Sequence, residues 1–81
     1  MIVVEKPIID FDDLESIKKF IEENESNMYE GKTVDGEQVI LSLEHGEGMI
    51  VRVKQENGWW RIHEFDKDGY VVSETFERDG K

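Results

Sequence analysis

Val51-Arg52-Val53-Lys54-Gln55-Glu56-Asn57-Gly58-Trp59-Trp60-Arg61-Ile62-His63 decides how this chain is read: two apolar-rich runs flank Asn57-Gly58, the strongest short signal for a two-residue hairpin turn. The same rhythm recurs on either side, at Asp35-Gly36, Gly46-Glu47-Gly48 and Asp68-Gly69. Hairpins at that spacing predict an antiparallel meander with strands at about 28–34, 37–44, 49–56, 59–66 and 70–77.

Upstream of the meander the pattern changes. Ile2-Val3-Val4 reads as a short edge strand within residues 1–6, closed by Pro7, which lacks an amide hydrogen and disfavours helix at Lys6. Asp10, with Asp13 three residues on, resembles a helix-capping pair and opens a helix over about 11–25. At a helical period Phe11, Leu14, Ile17, Phe20 and Ile21 share one side, while Asp12, Glu15, Ser16, Lys19, Glu22 and Glu23 share the other. Asn24, Ser26 and Asn27 end it. The expected fold class is therefore α+β: one N-terminal amphipathic helix packed on a five- to six-strand, mainly antiparallel meander, in a single domain over 1–81. Arg78-Asp79-Gly80-Lys81 reads as a frayed tail.

Register sorts the strands into two faces. A two-residue turn at Asn57-Gly58 sets Glu56 opposite Trp59, Lys54 opposite Arg61, Val53 opposite Ile62 and Arg52 opposite His63. One face then collects Val39, Leu41, Leu43, Met49, Val51, Val53, Trp60, Ile62 and Val71, an aliphatic surface on which the helix is expected to pack. The other collects Ile40, Ile50, Arg52, Lys54, Trp59, Arg61, His63, Phe65, Tyr70, Val72, Glu74 and Phe76. Aromatics among basic groups are unusual on a solvent face, so this side needs a partner, a covering layer, or a curled sheet.

Size and charge bound the function. A chain of 81 residues buries only about 60% of the surface its unfolded form exposes, which leaves little room for an internal cavity. There is no cysteine, so disulfides, thiolate chemistry and cysteine metal sites drop out. No apolar stretch is long enough for a membrane span or a secretory signal, and a cytoplasmic location is expected. Twenty acidic residues against 10 basic ones give a net charge of −10, which opposes direct nucleic-acid binding and favours a basic partner. Between residues 10 and 25, seven carboxylates face two lysines, so half of the excess sits on and around the helix.

Motifs for catalysis or metal binding are absent or incomplete. His63 and Glu64 are neighbours in a strand and point to opposite faces, so they cannot act as a dyad. Two histidines and no thiol fall short of a zinc site. Asp66-Lys67-Asp68-Gly69 has its glycine at the fourth position instead of the sixth that a calcium loop requires, and Gly46-Glu47-Gly48 lacks the lysine of a phosphate loop. No metal and no cofactor are expected.

The expectation is thus a small acidic, non-enzymatic protein-binding module. It suits an inhibitor or immunity-type protein of a phage or bacterial conflict system, engaging a basic partner such as a nucleic-acid-binding protein by nucleic-acid mimicry. Trp59, Arg61, Phe65, Tyr70, Phe76 and Arg52 are the candidate contact residues, because aromatics and arginine dominate interface energetics. Glu15, Glu22 and Glu23 on the helix back are the candidate approach surface. Two other readings compete: a homodimer that buries the aromatic face, and a small-ligand pocket under a curled sheet with His63 in it.

Overall fold

The computed structural model describes residues 7–78. Among them six strands and one α-helix follow in order: β1 (Ile8–Ile9), α1 (Leu14–Glu23), β2 (Asn27–Thr33), β3 (Gln38–Glu44), β4 (Gly48–Lys54), β5 (Trp59–Asp66) and β6 (Val71–Arg78). The strands form one sheet in sequence order, parallel between β1 and β2 and antiparallel elsewhere. One helix on a mostly antiparallel sheet makes the fold α+β. The strand expected at 1–6 lies outside the described residues, and β1 forms just beyond Pro7.

The parallel β1–β2 pair requires a crossover, and α1 supplies it. The helix starts at Leu14, later than the expected 11, because Asp10 builds a turn instead of a cap. Its carboxylate accepts from the Asp12 N–H at 2.9 Å, and its carbonyl accepts from the Asp13 N–H at 3.0 Å. Asp13 is the cap, accepting from the Ser16 N–H at 3.1 Å. At the other end the Asn24 side chain donates to the Phe20 carbonyl at 2.9 Å. Ile17 and Ile21 are buried against the sheet, each contributing about 1.5–3 kcal/mol, while Glu15, Ser16, Lys19, Glu22 and Glu23 are exposed.

The Asn57-Gly58 hairpin departs from expectation in a way that reorganises the sheet. The turn itself has the expected geometry: Asn57 (φ 64°, ψ 29°) and Gly58 (φ 78°) are both left-handed, and the Trp59 N–H donates to the Glu56 carbonyl. However, the Trp59 carbonyl accepts from the Gln55 N–H at 2.8 Å, so Gln55 and Glu56 both stand against Trp59. This is one extra residue on the β4 side, a β-bulge. Beyond it, Lys54 pairs with Trp60, Arg52 with Ile62, Val51 with His63 and Met49 with Phe65.

A slip of one residue turns a strand's side chains to the opposite face. The expected placement of Val39, Leu41, Leu43, Met49, Val51 and Val53 beneath the helix holds, and all six are buried. The expected placement of β5 does not. Arg61, His63 and Phe65 lie on the helix side, in register with Val53, Val51 and Met49, and Trp60 and Ile62 lie on the open face beside Arg52 and Lys54. Phe65 joins Ile9, Ile17 and Ile21 in the core. The grouping of Trp59, Arg61, His63, Glu74 and Phe76 on one face survives, because β6 follows β5. The whole group has turned over. A second irregularity, between Glu64 and Phe65, sets Val71 opposite Phe65 and leaves Val72 out of register.

Candidate functional site

Turning β5 over places polar groups beneath the helix side, and the fold satisfies them locally. Arg61 Nε donates to His63 Nε2 at 2.8 Å, and Arg61 Nη2 reaches Glu37 Oε1 at 3.5 Å. Because Nε2 accepts, the imidazole proton resides on Nδ1, which faces Glu74 Oε2 at 3.5 Å. The Phe11 ring lies over the imidazole with centroids 4.4 Å apart, and Arg61 Cζ sits 5.8 Å from the same ring. Burial pushes the His63 pKa below its ordinary 6.5. The Glu74 carboxylate pulls the other way, Arg61 pushes further down and Glu37 opposes it. Among the described residues no buried side-chain nitrogen or oxygen lacks a partner.

A cleft of about 420 Å³ opens between the start of α1 and β6. Phe11 and Leu14 form one wall, His63 and Phe65 the floor, and Tyr70, Val71 and Glu74 the other side. Both ring nitrogens of His63 are engaged within the protein, so the imidazole is held in place by Arg61 and Glu74. Among the described residues no three His, Asp or Glu side chains converge to hold a metal ion, and no helix is long and apolar enough to cross a membrane.

The contact residues expected from sequence separate into four places. Phe65 is 4% exposed and packs beside Phe11 and His63, so it is a core residue and not a contact. Arg61 is half-buried and held by Glu37 and His63. Arg52 lies on the opposite face, where its Nη1 donates to Ser42 Oγ at 3.4 Å among the half-buried Ile40, Ile50 and Ile62. Trp59, Tyr70 and Phe76 are exposed, along the β5 and β6 margin, and Glu15, Glu22 and Glu23 are exposed on α1.

The surface that emerges is therefore the β6 margin. Among the described residues β6 is the last strand of the sheet and pairs with β5 alone. Tyr70, Val71, Val72 and Phe76 are each more than half exposed along it. Long apolar edge strands are rare on monomeric proteins because they recruit other strands. Arg78, assigned to the frayed tail by sequence, is the last residue of this strand and pairs with Trp59. The signal that marks it is the alternation Glu74-Phe76-Arg78, which continues the strand period by one more step. Comparison with protein-family models, with curated proteins and with solved structures found no match to this chain.

Proposed function

We propose that this protein is a non-enzymatic protein-binding module whose β6 edge accepts an extended strand from another polypeptide. The observation that supports the reading most strongly is the edge itself: eight residues, apolar at Val71, Val72 and Phe76, with no strand on their outer side among the described residues. Strand addition uses main-chain hydrogen bonds for affinity and alternate side chains for specificity, and this edge offers both. The carboxylates of Glu15, Glu22 and Glu23 lie on the helix, away from the edge strand in sequence, and a net charge of −10 steers the molecule toward basic surfaces. That balance supports an inhibitor or immunity-type role toward a basic protein, which we place in the cytoplasm.

A proline at position 76 tests the edge. Pro is tolerated in edge strands when its missing N–H faces outward, and there it blocks strand addition. In a lysate of the native host, wild-type protein is expected to elute in a particle larger than the 9.5 kDa chain, and Phe76→Pro as the free chain with an unchanged circular dichroism spectrum. Elution of both at the size of the free chain, or of both in the same larger particle, contradicts the reading.

A further inference from the structure

We infer that the strand received by β6 is β6 of a second copy of this chain, paired antiparallel about a two-fold axis at Phe76. The inference rests on the reading of β6 as a strand-accepting edge and names its occupant.

The direction of the backbone groups comes from the bulged hairpin. Trp59 commits both its N–H and its carbonyl to the β4 side, through Glu56 and Gln55. In an antiparallel ladder both groups of one residue point the same way and those of the next point oppositely. Trp60, Ile62 and Glu64 therefore address β6, where Glu77, Thr75 and Ser73 stand opposite them. Glu74, Phe76 and Arg78 are left with their N–H and carbonyl groups directed outward. The same three residues oppose His63, Arg61 and Trp59, so their side chains share the helix side of the sheet. The edge thus presents a carboxylate, a ring and a guanidinium at alternate positions.

That order is complementary to itself when reversed. With Phe76 opposite the partner's Phe76, Glu74 stands opposite the partner's Arg78, and the two-fold axis makes the ion pair twice. Opposed charges and paired aromatics are the cross-strand combinations that stabilise a ladder. The neighbouring registers that keep the faces matched lack this match. Centring on Thr75 sets Glu74 against the partner's Phe76, and centring on Glu74 or on Glu77 sets two carboxylates against each other. Each copy carries −10, but at about 0.15 M salt the screening length is about 8 Å, which damps repulsion between distant carboxylates more than attraction between residues directly opposite. A two-fold contact of this kind is isologous and closes after two copies.

Sedimentation of the purified chain at about 0.15 M salt tests the register with Glu74→Arg, Arg78→Glu and their one-to-one mixture. Wild type is expected to form a dimer at micromolar concentration. Each variant alone should dissociate about tenfold or more readily, because it exchanges two attractive facing pairs for two repulsive ones. The mixture should recover a dimer, since both facing positions then carry opposite charges. Glu74 also touches His63, so the Arg78→Glu arm, on a side chain with no ion-pair partner among the described residues, carries the same reading without disturbing the interior. A monomeric wild type, a dimer indifferent to both variants, or a mixture that stays monomeric overturns the self-pairing. A purified monomer alongside a larger particle in lysate that Phe76→Pro abolishes defeats the second copy alone, whereas a particle unaffected by Phe76→Pro defeats strand acceptance itself.

Discussion

Phe65→Ala is expected to cost about 3–5 kcal/mol of unfolding free energy, the range for truncating a buried aromatic in a core that cannot fully collapse. Phe65 is 4% exposed, stands opposite Met49 on one strand and Val71 on the other, and lies 6.1 Å from the Phe11 ring. Among the described residues it is the one phenyl ring in the buried core cluster, so its removal empties the largest single volume there. Chains of this size have about 4–12 kcal/mol in total, at roughly 0.05–0.15 kcal/mol per residue, so the loss consumes a large share of the whole. Urea unfolding followed by circular dichroism measures it. Trp60→Ala, on the half-exposed open face, should cost clearly less in the same experiment. The opposite ranking, with Trp60 the costlier truncation, would mean that β5 presents its other face to the helix.

Gly48→Ala should be the most damaging of the glycine substitutions in the hairpin loops, at about 3 kcal/mol or more from backbone strain and collision together. Gly48 adopts φ 136°, a region that side chains rarely enter, and an added Cβ would fall 2.1 Å from the Phe65 carbonyl oxygen. That oxygen belongs to the backbone of the neighbouring strand and cannot swing aside. Relief requires β4 and β5 to separate where Gly48 pairs with Asp66. Gly46→Ala is the matched control: its φ of 85° is also left-handed, but nothing lies within 4 Å of the added carbon. It should cost only about 1–2 kcal/mol, the penalty of the left-handed conformation. Thermal unfolding of the two variants separates collision from conformation, and equal costs would contradict the close approach.

Much of this arrangement is legible in the chain itself. The alternation of Val39, Leu41 and Leu43, and of Met49, Val51 and Val53, is strict because one face of each strand meets the helix and the other does not. The turn glycines locate every hairpin to within a residue or two. What the pattern cannot carry is the bulge at Gln55 and Glu56. Asn57-Gly58 specifies two left-handed dihedrals, and it forms them, but one further residue on the β4 side changes the parity of all of β5 without altering the turn. In β5 the two possible faces are also evenly matched, with Trp60 and Ile62 against Phe65, His63 and an arginine. Hydropathy alone favours the wrong one, because it takes no account of Glu37, in the turn before β3, and Glu74, on the neighbouring β6, which satisfy Arg61 and His63. The helix start misled for a similar reason, since Asp10 and Asp13 are both competent caps and only the turn between them decides which one is used.

The candidate surface changed with the parity. The aromatic face expected to meet a partner supplied Phe65 to the core and left Trp59, Tyr70 and Phe76 along a strand margin. The proposed mode of recognition is accordingly main-chain pairing at β6 in place of flat aromatic contact. The outward direction of the Glu74, Phe76 and Arg78 backbone groups follows from the β4–β5 register. That register is read most directly from Hα–Hα nuclear Overhauser contacts, which appear across the non-hydrogen-bonded pairs of an antiparallel ladder, where Cα atoms approach to about 4.5 Å. The structure predicts a strong contact between Arg52 and Ile62. A strong contact between Val53 and Ile62 in its place would restore the unbulged hairpin and contradict the account.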